Sequence, residues 1–478
     1  MTDVVIVNLP KMLRHYLPAA PALLKGACNF LGASSQVLDF NLDFVDACQQ
    51  HNILIDESIV GIDQDQIPNT ELQLLADHLI AKWAKQIQSH SPKIVAISIF
   101  SYYGRYFAKQ LIQALASDCR IILGGSGIKD SINNAPHFAI ALKEQQLIAD
   151  FVDGDGEFAF PSLVANYLDL VYTINNNTLD IPYSPDYSDY DIALYQGHNT
   201  QLCVPVTGSR GCVRRCNFCE IHQHWRFQQR SAEHIANELR TILKTVNNPH
   251  FHFTDSLVNG SLTEFNSLLD LLVDLKKHHE FSWGGQFIIR EPTQFGERYW
   301  QKIGESNARR LEIGVETGSE QLRYAMDKPF SNHALDFSMH MMSKYGITCV
   351  WLFFIGYPLE TDLDFEATLQ LLEKYQGNTV TESVQLGYAF AVMPGTPIDT
   401  NKKTYGLTVT KNPTIWLTTQ NPTLNYNKRL ERRKIASDHA KRLGYRLTTD
   451  NDLAINEMQY NLKTFQTQIK IIENLTKA

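Results

Sequence analysis

Short apolar runs alternate with longer helix-like stretches over the first 175 residues of the chain. The stretches from Ala19 to Leu31 and from Gly104 to Leu115 are predicted helices. The runs around them are short, apolar and followed by turn-forming residues, as is typical of strands: VVIVNLP, SQVLDFN, KIVAISIFS, RIILGGSG and ADFVDGDGEFAF. Strands that alternate with helices predict an α/β domain, here a doubly wound, Rossmann-like parallel sheet with right-handed crossovers.

Ligands of such sheets bind beyond the carboxyl ends of the strands. The residues that the sequence places at those ends are Asn8, Ser98, Ser101, Gly124 and Gly125. We therefore expect a ligand-binding edge there.

A second alternating series begins at Val204. Its strand-like segments are VPVTGSRG, HFHFTDS, FSWGGQFIIREP, RRLEIGVETGS, CVWLFFIGYP and SVQLGYAFAVMPGTP. Six parallel strands with outer helices predict a partial (β/α)6 barrel that opens at the carboxyl ends of its strands. The segment before it is rich in Asn, Asp, Tyr and Pro and lacks periodicity, which indicates a linker. The predicted organisation is a sheet domain at 1–175, a linker at 176–202, a barrel at 203–400 and a mainly helical capping segment at 401–478.

Composition adds limits on location and partners. The chain is 44% hydrophobic and 20% charged, as is ordinary for a globular protein. The first residues lack the pattern of a signal peptide, and the most apolar stretch is too short to span a bilayer, so a cytoplasmic protein without a membrane span is predicted.

The net charge of −8 is unevenly distributed, because residues 401–478 hold 14 Lys and Arg against 6 Asp and Glu. An acidic remainder argues against a nucleic-acid partner. The basic run at 428–446 has two interpretations, a clamp for an acidic substrate or a solvated helix face.

Three cysteines, Cys212, Cys216 and Cys219, follow the first strand of the second series in a CxxxCxxC pattern. Structural zinc usually takes four ligands, and a disulfide framework needs an even number of cysteines. Three thiolates on one loop suit an iron–sulfur cluster with one iron open to a further ligand. The other five cysteines are scattered and are predicted core residues.

The cysteine loop and the segments after it resemble the radical S-adenosylmethionine (SAM) superfamily. RFQQRSAEHIANEL resembles the family's Arg-Ser-x-Glu helix start, and LEIGVETGSEQLRYAMDK resembles its Gly-x-Glu-Ser-Gly-Ser segment, with Thr317 in place of Ser. FIGYPLETDLDFEATL and MPGTPI resemble the Gly-x-Pro-x-Glu-Thr and Pro-Gly-Thr-Pro segments. The ordered set covers about 200 residues, and it favours this family over a structural metal site.

The resemblance implies that the three cysteines hold a 4Fe–4S cluster, whose open iron binds SAM for cleavage to a 5′-deoxyadenosyl radical. It implies an electron donor such as flavodoxin or ferredoxin and a small-molecule or peptide substrate. The implied roles are Asp255 for the amino group of SAM, Arg290 for its carboxylate, and Glu316 with Ser319 for its ribose. Phe218, the aromatic residue before the last cysteine, belongs to the same cofactor-binding set. The alternative is that the acidic residues cap helices and that Arg290 pairs on the surface.

The first domain resembles the cobalamin-binding domain that precedes the radical barrel in one branch of the superfamily. The segments that carry this resemblance are NLP, SIFS, ILGGSG and VDGDGEFAF, in which Asp155 replaces a Glu. The Asp-x-His-x-x-Gly motif of His-ligated cobalamin proteins is absent, and His15 is out of register. The resemblance implies cobalamin as a cofactor, with glycines that let its nucleotide tail approach the backbone.

Three functions remain open from the sequence. The first is cobalamin-dependent methyl transfer to an unactivated carbon. The second is a radical SAM rearrangement or bond formation in a protein whose first domain no longer binds cobalamin. The third is a cobalamin or metal sensor without catalysis.

Overall fold

Two parallel sheets, of five and six strands, form the framework of the protein. The computed structural model describes residues 2–10, 16–53, 65–115, 119–129, 135–173, 178–195, 201–410 and 412–448. They form two compact units, one of Met1–Val206 with Ala236–His250 and the other of Thr207–Ile235 with Phe251–Ala478.

The first sheet has the strand order β2-β1-β3-β4-β5, and every neighbouring pair is parallel. Its strands are β1 (Val4–Asn8), β2 (Ser35–Asp39), β3 (Ile94–Ser98), β4 (Arg120–Gly124) and β5 (Asp150–Phe151). The surrounding helices are α1 (Ala19–Leu31), α2 (Phe40–Gln50), α3 (Thr70–Ser89), α4 (Gly104–Leu115), α5 (His137–Glu144) and α6 (Gly156–Tyr167), with a 3-10 turn at Ser126–Ile128. The predicted doubly wound sheet is therefore confirmed, and the two predicted helices have the predicted bounds.

Both faces of this sheet are covered. Every residue of β1 and β3 is buried, which explains why these strands are continuous apolar runs rather than alternating ones. On one face Phe40 stacks on Trp83 at 4.8 Å between ring centroids, and Phe44 meets Phe107 edge-on at 5.1 Å. Such aromatic pairs add specific geometry to the apolar area that they bury.

The segment predicted as a linker packs into the first unit in its described part, 178–195. Tyr183, Tyr187, Tyr190 and Tyr195 are all buried, the last at the end of a short helix, α7 (Ile192–Tyr195). Lys25 of α1 is buried and pairs with Asp189 at 2.6 Å and with Asp186 at 3.9 Å. These contacts attach the segment to α1, although its composition suggested no packing.

The second sheet has the order β13-β12-β11-β10-β9-β6, so its strands follow one another in space as they do in sequence. They are β6 (Cys203–Val206), β9 (His250–Phe253), β10 (Ser282–Phe287), β11 (Ala308–Glu316), β12 (Cys349–Ile355) and β13 (Thr381–Ala389). The pairings from β10 to β13 are parallel. The helices between them are α9 (Ala232–Ile242), α10 (Leu262–Lys276), α11 (Glu297–Glu305), α12 (Glu320–Ala325), α13 (Asn332–Lys344) and α14 (Asp362–Lys374). This arrangement confirms the predicted series of six strands with helical crossovers.

Helices of this series start at side-chain caps that the sequence encodes locally. Ser261, Ser331 and Thr361 each accept a backbone N–H from the first turn of the helix that follows. Thr361 also forms a reciprocal capping box with Asp364. Each cap satisfies an N–H that the helix leaves unpaired, and together they fix where each crossover helix begins.

The C-terminal segment consists, in its described part, of α15 (Pro397–Thr400), an antiparallel hairpin of β14 (Leu407–Val409) and β15 (Trp416–Thr418), and the long helix α16 (Tyr426–Arg442). The helix dominates, as predicted.

Neither interpretation of the basic run holds for three of the four arginines of α16, because Arg429, Arg432 and Arg433 are all buried, whereas Arg442 is exposed, as on a solvated helix face. Arg429 lies 3.8 Å from the centroid of the Trp416 ring and donates to the Phe390 carbonyl at 3.0 Å. Arg432 pairs with Glu360 at 2.6 Å, and Arg433 donates to backbone carbonyls of β13. These guanidinium groups attach the helix to the unit, a role that charge counting does not reveal.

The scattered cysteines behave largely as predicted. Four of them are buried and one is half-buried: Cys28, Cys48, Cys203 and Cys349, and then Cys119. No helix within the described ranges combines the length and the apolarity needed to cross a bilayer.

Candidate active site

The three cysteines lie on a closed hairpin. Its neck is the antiparallel pair of β7 (Ser209–Arg210) and β8 (Gln228–Gln229), and a short helix, α8 (Ile221–His224), lies between them. We call residues 211–227 the cysteine loop. Gly211 begins the loop with φ of +72°, and a Cβ there would lie 2.7 Å from the Arg226 carbonyl oxygen. A residue with a side chain would therefore meet both backbone strain and a collision at this neck.

The thiols of the cysteine loop are withdrawn from water. Cys216 is buried, and Cys212 and Cys219 are half-buried. Burial raises the pKa of Cys216 to about 12 and raises the pKa of the other two thiols as well. Neighbouring thiols of the loop add to the shift of Cys212 and Cys216, while the charge of Lys328 opposes the shift of all three thiols. Metal binding would therefore have to displace protons from the thiols, as is usual for thiolate sites.

The thiols do not converge on one point. Across the part of the chain that the structure describes, no group of three or more His, Cys, Asp or Glu side chains is arranged to hold a single metal ion. A 4Fe–4S cubane binds each thiolate through a different iron atom, so its ligands need not converge in that way. The donor set fits such a cluster, since it offers three soft thiols on one loop.

Asn217 fastens the cysteine loop to the rest of the second unit. Its side-chain amide donates to the Ala325 carbonyl at 2.9 Å, and its side-chain oxygen accepts from the Tyr357 hydroxyl at 3.1 Å. Its backbone N–H donates to the Met326 carbonyl at 3.1 Å. The sequence reading overlooked this residue, although a polar residue between two cysteine ligands was a visible signal.

Phe218 is half-buried and packs edge-on against Phe354 at 4.9 Å between ring centroids. It belongs to an apolar cluster that also includes Phe390 and Tyr357. The side chain thus anchors the loop, and its predicted contact with a cofactor stays a prediction.

Asp255 follows β9 and holds the backbone just before the cysteine loop. Its carboxylate accepts the Gly208 N–H at 2.6 Å and the Ser209 hydroxyl at 2.7 Å. Burial raises its pKa to about 6, against the lowering effect of these hydrogen bonds. Both carboxylate oxygens already have donors, so the structure gives Asp255 a positioning role, and its role toward SAM stays a prediction.

Arg290 follows β10 and has no anionic partner among the described residues. One terminal nitrogen donates to the Asn259 and Gly260 carbonyls at 2.8 and 3.0 Å. Its Nε atom is buried and has no hydrogen-bond partner in the described chain. Burial lowers its pKa, and repulsion from Arg214 lowers it further. The guanidinium is therefore held in place by carbonyls while its charge remains uncompensated, as an anion site requires.

Glu316 and Ser319 differ in the partners that their side chains have within the fold. Glu316 ends β11, is buried, and has a φ of +64°, a conformation that is costly for a residue with a side chain. It pairs with Lys328, which the sequence analysis did not assign. Ser319 accepts the Leu322 N–H at 3.2 Å as the cap of α12, and its hydroxyl donates to Asp364. The capping alternative, which concerned the acidic residues, does not describe Glu316, because the helix that follows it is capped by Ser319.

At the predicted ligand edge of the first sheet, Asn8 is already paired. It is buried and its amide donates to Asp39 at 2.7 Å, and the same carboxylate accepts the Tyr195 hydroxyl. Ser98 is buried, and its carbonyl accepts the Leu9 N–H at 3.4 Å. The edge near β1 and β2 is therefore filled by side chains of the first unit itself.

The edge near β3 and β4 is different. The Ser101 hydroxyl is buried and has no hydrogen-bond partner in the described chain. Beside it in sequence, the Phe100 and Tyr102 side chains are 59% and 50% exposed. A buried hydroxyl without a partner, on a residue whose sequence neighbours expose aromatic rings, fits a bound corrin or its tail.

The glycines of this edge have a reason other than the predicted one. Gly125 has φ of +96°, and a Cβ there would collide with the Ile99 carbonyl. Gly124 has only an ordinary contact, with Val152 at 3.7 Å from its built Cβ. Close packing of one loop on another accounts for Gly125, so this glycine by itself is no sign of a cofactor tail.

Comparison with known proteins agrees with this geometry. Residues 206–372 match the Radical SAM superfamily. The chain is 22% identical over 331 residues to an uncharacterized methyltransferase, PH0819, of Pyrococcus horikoshii, across 63% of this chain and 68% of that protein. It is 25% identical over 211 residues to the tRNA-2-methylthio-N(6)-dimethylallyladenosine synthase of Helicobacter pylori, across 40% of this chain and 47% of that enzyme. The chain thus spans about half the length of the second relative.

Among solved structures, the fold is similar to that of TsrM from Kitasatospora setae, a radical SAM methyltransferase with cobalamin and a 4Fe–4S cluster bound. The TM-score is 0.57 at 15% identity, and the match covers 84% of this chain and 74% of TsrM. At this identity the similarity concerns the fold. The predicted resemblance to the radical SAM superfamily is confirmed, and so is the predicted fold class.

Proposed function

We propose that this chain, a radical SAM enzyme by its domain over residues 206–372, transfers a methyl group to an unactivated carbon with the help of cobalamin. A 4Fe–4S cluster, when bound, supplies the electron that cleaves SAM, and cobalamin supplies the carrier of the methyl group. The domain bounds, the cofactor contacts and an external electron donor such as flavodoxin or ferredoxin are parts of this proposal. The substrate is a small molecule or a peptide.

The observation that carries the proposal is a set of three thiols without a fourth. Cys212, Cys216 and Cys219 share one loop, and the unit's other cysteine, Cys349, is buried at the start of β12. Three cysteine ligands leave one iron of a cubane open, and that position suits the amino and carboxylate groups of SAM. A closed structural zinc site would instead need a fourth ligand, and among the described residues no group of donors is arranged around a single metal ion.

Residues around the loop have distinct tasks in this proposal. Arg290 offers an uncompensated charge to the carboxylate of SAM, because no carboxylate of the described chain pairs with it. Asp255 holds the backbone at Gly208 and Ser209, and so fixes where the cysteine loop leaves the sheet. Phe218 and Asn217 hold the far side of the loop, and the packing of Phe218 limits the access of water.

The part of the proposal that concerns cobalamin rests on features of the first unit. Its doubly wound sheet has an unsatisfied hydroxyl at Ser101 where ligands of such sheets bind. The fold of the whole chain is similar to that of TsrM, which binds cobalamin. Phe100 and Tyr102 offer exposed aromatic surface beside that hydroxyl.

The test is anaerobic purification with hydroxocobalamin, removal of free corrin, and assay of iron, sulfide, corrin and SAM products. Corrin retained near one per chain, with S-adenosylhomocysteine formed beside 5′-deoxyadenosine, supports methyl transfer. A cluster that cleaves SAM without retained corrin refutes the cobalamin part only. A protein that binds neither iron nor sulfide refutes the whole proposal.

A second candidate is a radical SAM enzyme that works without cobalamin and catalyses a rearrangement or a bond formation. The filled edge at Asn8, Asp39 and Tyr195 favours it, because these three side chains already bond to one another. The packing of Gly125 on Ile99 points the same way. In this case 5′-deoxyadenosine forms without S-adenosylhomocysteine. Added corrin changes neither the rate of 5′-deoxyadenosine formation nor that of S-adenosylhomocysteine formation.

A further inference from the structure

Lys328 and Glu316 form a buried ion pair at the carboxyl end of β11. Their side chains are 15% and 12% exposed, and their charged atoms are in direct contact. Both atoms lie over Gly314, where a Cβ would collide with the lysine nitrogen and with the carboxylate. The glycine two residues before the glutamate therefore makes room for this pair.

The pair is rigidly attached to the cysteine loop. Asn217, between two of the cysteines, bonds to Ala325 and Met326, and Lys328 follows two residues later. The Lys328 N–H donates to the Arg323 carbonyl at 3.0 Å. Arg323 is itself buried and donates to the Thr317 carbonyl at 2.8 Å. These contacts hold the charge of Lys328 at a fixed position relative to the cysteine loop.

The two charges act on the thiols with opposite signs. Burial is the main cause of the raised pKa of each thiol, and Lys328 lowers the pKa of all three. Glu316 raises the pKa of Cys216 and Cys219. Because Asn217 directly follows Cys216 and bonds to Ala325 and Met326, Lys328 is held near the cysteine loop, and a charge that is shielded from water acts through a medium of low dielectric constant.

We propose that Lys328 and Glu316 set the reduction potential of the cluster on the cysteine loop, with Lys328 favouring the reduced state and Glu316 limiting that effect. The inference rests on the proposed function, since it needs a cluster at these thiols. Reduction adds one electron from an external low-potential donor and breaks no bond, so the reduced cluster carries one more negative charge. A fixed cation beside it stabilises the added charge, and burial and nearby charge are among the factors that set such potentials.

The experiment is a mediated redox titration of reconstituted protein without SAM, followed by electron paramagnetic resonance of the reduced cluster. In Lys328→Met, the ratio of reduced to oxidised cluster at a fixed potential should fall at least tenfold, a shift of about 59 mV to more negative potential for one electron. Lys328→Arg keeps the charge and should stay within threefold of the wild type. Glu316→Gln should shift the potential in the opposite direction from Lys328→Met.

Lys302→Met is the matched control. Lys302 of α11 is 14% exposed, and its partners are on α10, since it pairs with Asp270 and bonds to Asn266 at 3.0 Å. It should leave the potential unchanged.

Iron and sulfide content separates the possible outcomes. A fully loaded Lys328→Met protein with the wild-type potential overturns the inference, and so does a shift of equal size in Lys302→Met. If Lys328→Met cannot hold a cluster, the other two variants decide instead: Glu316→Gln should shift the potential to a more positive value, and Lys328→Arg should keep it. A wild-type protein that binds no cluster refutes the proposed function, and the inference falls with it.

Discussion

Beside the cysteine loop, the charge of Arg290 has no anionic partner among the described residues, whereas at the edge of the first sheet predicted residues are already used within the fold. Arg290 has carbonyl partners only, although Lys328 in the same unit is paired with Glu316. Asn8, by contrast, has a carboxylate partner, and Gly125 serves close packing. Ser101 is the exception at that edge, because its buried hydroxyl lacks a partner in the described chain.

The difference shows how well each kind of sequence signal predicts a ligand site. A motif with fixed spacing, such as CxxxCxxC, identifies side chains whose reactive groups are not already used in contacts within the fold. A fold-level signal, such as glycine at a strand end, is satisfied equally well by packing. Uncompensated buried groups are therefore the better guide to ligands in both regions.

The largest expected effect is at the motif itself. Replacing Cys212, Cys216 and Cys219 together with alanine should abolish iron loading and 5′-deoxyadenosine formation, because no other cysteine lies on the loop. The protein should still fold, because the loop is closed by β7 and β8 rather than by the thiols. Iron content, circular dichroism and product chromatography check this, with Cys119→Ala as the control. Normal 5′-deoxyadenosine formation by the triple variant would contradict the radical SAM assignment of these thiols.

The next effect concerns the stability of the fold and its dependence on the buried carboxyl of Asp255. Burial raises its pKa from 3.8 to about 6. The folded protein therefore binds this proton more tightly than the unfolded chain does, and the carboxyl destabilises the fold progressively from about pH 4 to about pH 6. The penalty reaches about 3 kcal/mol and stays constant above that window.

Asp255→Asn removes this titration. The urea midpoint of the variant should therefore rise relative to that of the wild type across the same window and stay parallel to it above about pH 6. Tryptophan fluorescence in urea at a series of pH values measures the difference. A difference that does not vary with pH would show that folding leaves the pKa of this carboxyl unchanged.

Arg290→Leu should have a smaller effect, confined to the affinity for SAM. It removes a charge-assisted contact worth about 1.5–3 kcal/mol, which corresponds to at least a tenfold weaker affinity. Equilibrium dialysis of SAM against the reconstituted protein measures it. Arg298→Leu, on α11, is the control because the sequence and the structure give it no part in the site. Unchanged affinity in Arg290→Leu would assign the carboxylate of SAM to another residue.

The sequence predicts what is local and misses what depends on tertiary contacts. Apolar runs and turn residues located both sheets, and cysteine spacing located the loop. Lys328 and Asn217 were missed because their importance lies in contacts between separate elements. The arginines of α16 were misread because charge counts do not report burial, and Arg429 is fully covered. The tyrosines of the linker were likewise invisible to composition, which cannot say that Tyr195 bonds to Asp39.

The smallest expected effect tests the exception at the sheet edge. Ser101→Ala removes a buried hydroxyl that has no partner in the described chain, so the protein without corrin should be unchanged or slightly more stable. If the hydroxyl bonds to cobalamin, the variant should retain corrin about threefold to tenfold less tightly, the loss of about 0.5–1.5 kcal/mol.

Ser126→Ala is the matched control, because its hydroxyl donates to the Phe100 carbonyl in the same region. It should lower stability slightly and leave corrin affinity unchanged, and thermal melting with spectral titration of hydroxocobalamin measures both quantities. A gain in stability at Ser101→Ala without any loss of corrin affinity would mean that this hydroxyl is an unsatisfied group of the fold, and the edge near β3 would then resemble the filled edge near β1.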